Sequence, residues 1–256
     1  MFENTAGKSV ELTVGPNPDG KDSRTVSVEP LREELALRNR EWIEGNLRKV
    51  EKATNGRVGY VYVPDTAGQG VAYFKRYFFP QVDKEALIID ERFNSGGQIA
   101  DYYIDILRRP FASFWAPRHG AEWRSPSAAV HGPKVMIADE GAGSGGDMLP
   151  YMFRKFKLGP IVGKRTWGGL VGISGYPGLM DGGTVTAPSF AIWVPENGWI
   201  VENEGVPPDH DIDMLPKQLI AGQDPQLEKA IELALQALEK EPKKDFPRPA
   251  YPKRVK

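Results

Sequence analysis

With 256 residues, 40% hydrophobic and 26% charged, the chain is long enough to bury one large core, and a net charge of −1 with both signs interspersed leaves no broad basic surface for nucleic acid. The absence of cysteine excludes disulfides and thiol chemistry and fits a reducing, cytoplasmic setting. No apolar run approaches the ~20 residues that cross a bilayer, MFENTAGKSV lacks a signal-peptide core, and three histidines without HExxH spacing offer no zinc site, so neither membrane nor metal is expected.

Residues 1–28 hold two short strand-like runs, KSVELTV and RTVSV, around the turn-rich GPNPDGKDS; alone they are too small to bury a core. Residues 31–54 predict a helix, since Leu35, Trp42, Ile43, Leu47 and Val50 recur near helical spacing and Asn55-Gly56 supplies a stop. From there strands and helices alternate: RVGYVYVP, AGQGVAYFKRYFFPQ, EALIIDER, GQIADYYIDILRR, KVMIADE, GDMLPYMFRKF and GPIVGKR. Continuous Val/Ile/Leu strands separated by helical segments predict β-α-β units around a mainly parallel sheet, an α/β core. GTVTAPSFAIWVPENGWIVE then reads as a hairpin region, and a closing helix runs from about Asp224 to Lys240. Residues 241–256 are basic and proline-rich, the composition of a disordered or surface-draped tail.

Ligands of α/β sheets bind beyond the carboxyl ends of the strands, where loops enter helix N-termini. MIADEGAGSGGDMLPY, residues 136–151, puts Ser144 at such a place. Glycines let the backbone bend sharply and leave amides open, and a helix N-terminus favours an oxyanion. That is the physics of a nucleophile elbow, although Ala142–Gly146 read A-x-S-x-G rather than G-x-S-x-G, and a serine here is equally suited to capping the helix that follows. Pro150 is expected within the first helical turn, where no amide is needed. Gly96 and Gly97 stand at the preceding strand exit, in IIDERFNSGGQIADYY, so their amides are candidates to face the same crevice.

Three stretches together, ERFNSGGQIADYYIDIL, GSGGDMLPYMFRKFKLGPIVGKRTWGGLVG and GWIVENEGVPPDHDID, resemble the catalytic core of the tricorn proteases within the tail-specific serine peptidase family. The resemblance covers about residues 30–240. It implies a crotonase-like α/β fold over residues 29–240, with residues 1–28 as the end of a PDZ-like domain. It implies further that Ser144 is the nucleophile, that Gly97 and Gly145 offer oxyanion-hole amides, and that Glu202 supports a catalytic histidine. Gly96, Arg165 and Thr166 would contact a peptide, no cofactor is needed, and the chain would assemble as a homo-oligomer, a hexamer by analogy. The family usually carries aspartate where this chain has Gly145, a change that preserves the backbone amide.

A serine hydroxyl needs a base. Bacterial processing relatives use a lysine in a TFGKG-like segment, but here TWGGL puts Gly169 at that position, and the spacing of Lys164 aims it at the opposite face of its strand. In the tricorn type the base is a histidine on a subdomain preceding the PDZ domain, which this chain begins too late to contain. At ~3.3 Å per strand residue, His131 lies about 20 Å or more from Ser144. His210 follows Ser144 and an acid, Asp181 or Glu202, in the order of a self-contained esterase-like triad, or it is a surface residue of a turn. His119 falls in the loop APRHGAEW. Three readings therefore stand: a serine peptidase core lacking its base, a non-catalytic peptide-binding or assembly fragment, and a hydrolase using Ser144 and His210.

Overall fold

The computed structural model describes residues 2–175, 177–242 and 246–253. The chain forms two compact units, Met1–Gly45 and Asn46–Lys256. In the first, Val10–Val14 (β1) and Arg24–Val28 (β2) pair antiparallel, Val10 opposite Val28 and Val14 opposite Arg24. The helix Leu35–Ala53 (α1) begins in this unit and ends in the second, so the division falls within an element.

The second unit alternates as the sequence predicts. Its elements are Val58–Tyr62 (β3), Gly68–Phe78 (α2) followed by a 3₁₀ turn at Phe79–Gln81, Ala86–Asp90 (β4) and Ala100–Leu107 (α3). After a short hairpin of Ser113–Trp115 (β5) and Trp123–Ser125 (β6) come Lys134–Ala138 (β7), Gly145–Lys155 (α4) and Ile161–Gly163 (β8). A two-residue hairpin, Trp193–Val194 (β9) with Gly198–Trp199 (β10), leads to His210–Asp211 (β11), Pro216–Ile220 (α5) and Pro225–Lys240 (α6). Strands β11-β8-β7-β4-β3 form one five-stranded sheet with every pairing parallel. Every residue of β3, β4, β7 and β8 is buried, which is why these strands read as unbroken apolar runs.

Each new strand joins the same edge of the sheet, so right-handed crossovers carry the connecting helices over one face. Helix α3 packs on α4 accordingly, and α6 packs on β3, β4, β7 and β8. Arg92, just past β4, fixes α6 to the sheet: its buried guanidinium pairs with Asp90 at 2.6 Å and with Asp224, the N-cap of α6, at 3.0 Å. Among the described residues no helix is long and apolar enough to cross a membrane.

Two local expectations need correction. Helix α4 begins at Gly145, so Pro150 sits in its second turn and removes the amide that would bond the Gly146 carbonyl. The hairpin expected across residues 183–202 shrinks to β9 and β10, with one isolated bridge between Gly172 and Phe190. The tail, in its described part, is the surface-draped one of the two states its composition allows: Phe246 stacks on Phe111 at 5.4 Å, and Arg248 pairs with Glu122 at 3.1 Å.

Candidate active site

Four strand exits meet at the carboxyl end of the sheet. Because the strand order never reverses, no topological switch opens a crevice there; the exits are instead laced together by backbone hydrogen bonds. Thr66 N donates to Gly96 O at 2.8 Å, joining the exits of β3 and β4. Gly143 N donates to Asn94 O at 3.0 Å, joining β4 to β7. Trp167 N reaches Ala142 O at 2.8 Å and Ser144 N reaches Gly169 O at 3.1 Å, joining β7 to β8. Side chains reinforce the lacing: Asp139 Oδ1 accepts from Phe93 N and Gly141 N, and Asn94 Oδ1 accepts from Gly96 N.

Ser144 stands at the centre with φ 57° and ψ −115°, a conformation that a non-glycine residue holds only under constraint. It occupies the N-cap position of α4, yet its side chain makes no capping bond and, among the described residues, its hydroxyl has no hydrogen-bond partner. The capping explanation of this serine therefore fails. Gly96 lies directly against it: a Cβ there would come 2.7 Å from Ser144 Cβ and 3.2 Å from Gly145 N. A Cβ on Gly145 would come 2.8 Å from Gly97 N and 1.9 Å from Thr66 Oγ1, so the Gly97 and Gly145 backbones approach to a distance that only glycine allows. Among the described residues neither amide donates to another group.

Asp147, three residues into the turn, is wholly buried. Its Oδ1 accepts from Thr166 Oγ1 at 2.5 Å and Gly168 N at 2.7 Å, while its Oδ2 is buried without a partner. Burial raises its carboxyl above the ordinary carboxylate value, against the lowering effect of the Thr166 and Gly168 bonds. The loop that Asp147 clamps carries Gly169, the acceptor for Ser144 N, and then Leu170 and Val171, whose amides both donate to Glu202 Oε2 at 2.7 Å. Glu202 is presented by a strained turn: Glu202 N donates to Ile200 O across Val201, a buried β-branched residue at φ 70°.

A profile of the Peptidase family S41 matches residues 57–212, the span that holds all four exits. The chain belongs to peptidase family S41. Tricorn protease homolog 1 of Streptomyces coelicolor is 40% identical over 247 residues, which is 96% of this chain and 23% of that protein. The Tricorn protease of Thermoplasma volcanium is 39% identical over 217 residues, 85% of this chain and 21% of its own length. A crystal structure of the tricorn protease superposes with a TM-score of 0.86 at 36% identity, covering 92% of this chain and 23% of that one. The chain thus spans between a fifth and a quarter of the length of these relatives.

Within this S41 fold the residues expected at the site divide. Ser144, Gly96, Gly97 and Gly145 are brought together, and Glu202 joins them through the 168–171 loop. Arg165 is exposed but its guanidinium donates to Glu204 O at 2.6 Å. Thr166, expected to touch a peptide, is instead fully buried, its hydroxyl bonded to Asp147 and accepting from Val206 N, so it braces the turn. Lys164 pairs with Asp211 and Asp213 at 2.6 and 3.0 Å. His131 lies before the start of β7, its ring edge-on to Phe111, and His119 is exposed in the β5–β6 loop. His210 begins β11, opposite Val162 of β8; Glu232 of α6 is held below its usual carboxylate value chiefly by its hydrogen bond from Lys229, with His210 only a minor contributor. Among the described residues no hydrogen bond or ion pair joins a histidine to Ser144 or Glu202. Asp147 and Asn94 were not anticipated. The S-x-x-D spacing of Ser144 and Asp147, which in helices marks a side chain reaching back over the first turn, is the sequence signal for the former.

Proposed function

We propose that this chain is a serine peptidase core of the tricorn type, in which Ser144 attacks the scissile carbonyl of a short peptide and forms an acyl-enzyme. The observation that carries the reading is a serine with an unengaged hydroxyl in a constrained elbow, beside two closely packed glycines whose amides have no acceptor among the described residues. In this scheme Gly97 N and Gly145 N receive the oxyanion, a term typically worth a hundred- to a thousandfold per donor. The positive end of α4 adds to it. Glu202, held through one oxygen by Leu170 and Val171, has its other oxygen available to orient an imidazole.

The proton of Ser144 requires a base that none of the three histidines supplies from its observed position, and Lys164 is engaged with two aspartates. We therefore place the base outside these 256 residues. The same observation favours the second reading, a fragment that binds peptide or holds subunits together without turning substrate over, because removing a triad base leaves only oxyanion and binding effects. Short peptides as substrates, and a hexameric assembly, rest on the family resemblance alone.

The test is peptide and ester turnover by the purified chain, alone and supplemented with the segment of the Streptomyces coelicolor homolog that precedes its matched region, beside Ser144→Ala and His210→Ala. Turnover only in the supplemented mixture, abolished by Ser144→Ala and indifferent to His210→Ala, is the expected result. Loss of turnover in His210→Ala would restore the self-contained triad. Peptide binding without turnover in either mixture would establish the non-catalytic reading.

A further inference from the structure

Two large aromatic side chains flank the Gly141–Ser144 turn and stay in solvent. Trp167 is 66% exposed and Phe93 is 60% exposed, the latter at φ 61°, a backbone setting that a bulky residue seldom adopts. The six-membered ring of the Trp167 indole fills the room that two glycines leave. A Cβ on Gly143 would lie 2.6 Å from Trp167 Cε3, and one on Gly169 would lie 2.5 Å from Cε3 and Cζ3 and 2.8 Å from Cη2. At both glycines the three nearest atoms all belong to the Trp167 side chain, and neither glycine has a left-handed φ. These are also the residue that precedes Ser144 and the residue whose carbonyl accepts the Ser144 amide. Phe93 Cδ1 stands 3.2 Å from the corresponding position on Gly141. The elbow turn thus carries an aromatic ring at each of two alternate glycines. An exposed apolar surface of this kind, continuous with a candidate nucleophile, marks a contact surface.

We infer that Trp167 is a specificity-determining residue, its open indole face receiving an apolar or aromatic side chain of the peptide next to the scissile bond. The missing side chains of Gly143 and Gly169 leave the room that the ring occupies. The neighbouring cation does not alter this preference, because the Arg165 guanidinium is directed to the Glu204 carbonyl. The inference rests on the peptidase reading for the position of the peptide, but it concerns binding and can be tested without turnover.

The experiment titrates the Ser144→Ala chain with blocked penta-alanine and with the same peptide carrying one phenylalanine at each position in turn, by calorimetry. At least one phenylalanine peptide should bind about tenfold tighter than penta-alanine, the scale of one aromatic pair. Trp167→Ala should reduce that preference to below about twofold while leaving penta-alanine affinity nearly unchanged. Gly143→Ala, which displaces the ring and little else, should reproduce the loss, and adding it to Trp167→Ala should bring no further loss, since the clash is then gone. Equal weakening of all peptides by Trp167→Ala would make the indole a brace of the turn, and a preference that survives Trp167→Ala, or binding of none of the peptides, would overturn the inference. Absence of turnover by the unmutated chain in the mixture supplemented with the homolog segment, with the phenylalanine preference intact, would count against the peptidase reading alone.

Discussion

Ser144 keeps its strained backbone because the groups around it over-determine it. Its amide is held by Gly169 O, its carbonyl accepts from Asp147 N and Met148 N, and Gly143 before it is held by Asn94 O. Asp147 is the residue on which this lacing most depends, since its one bonded oxygen holds both Thr166 and Gly168. Burial raises its carboxyl and Oδ2 has no partner, so the negative charge is less important here than the acceptor. Asp147→Asn, which keeps an acceptor, should change unfolding free energy by less than about 1 kcal/mol, whereas Asp147→Ala should cost about 2–4 kcal/mol by leaving a buried amide and hydroxyl unpaired. Urea unfolding of both variants checks this, and an asparagine variant as unstable as the alanine one would show that the charge itself is required.

Strand β7 delivers the elbow, and its first residue is a buried lysine. Desolvation pushes the Lys134 ammonium down to about 8 from its ordinary 10.5, while its Nζ donates to Gly132 O at 3.0 Å. Between those two values the folded chain binds fewer protons than the unfolded one, so stability rises with pH through that window, and the full penalty is present below about pH 8. A shift of this size corresponds to roughly 3 kcal/mol, less the one hydrogen bond. Lys134→Met should therefore stabilise the chain at pH 7 by about 1–3 kcal/mol and lose that advantage above about pH 10.5. A variant less stable than the parent at pH 7 would contradict the account of this strand.

The same element scale explains what the sequence discloses. Strands β3, β4 and β7 show as unbroken apolar runs and helices α1, α2 and α6 as helical periodicity, and Ser144, Gly97 and Gly145 lie at strand exits that this alternation exposes. The β5–β6 hairpin has three-residue strands of exposed or half-buried residues, so no burial pattern marks it, and β11 has two residues, a strand only by virtue of its pairing with β8. Thr166 reads as a polar loop residue because its partners, Asp147 and Val206, are 19 and 40 positions away. Glu202 was legible only through family resemblance; the positive φ of Val201 that presents it leaves no compositional trace, since valine is the last residue such a turn would suggest.

At the scale of the whole molecule, a parallel sheet built in one direction brings four consecutive exits to one end, and the glycines at two of them let the backbones close to contact distance. On the proposed reading the fold assembles a nucleophile and an oxyanion pocket from segments spread between Thr66 and Gly169, while among the described residues no histidine is hydrogen-bonded to Ser144. The most direct measurement is peptide mapping by mass spectrometry after prolonged treatment with a fluorophosphonate in the presence of the supplementing segment. The account predicts a single adduct on Ser144, absent from Ser144→Ala and retained in His210→Ala. An adduct on another serine, or none under these conditions, would contradict it.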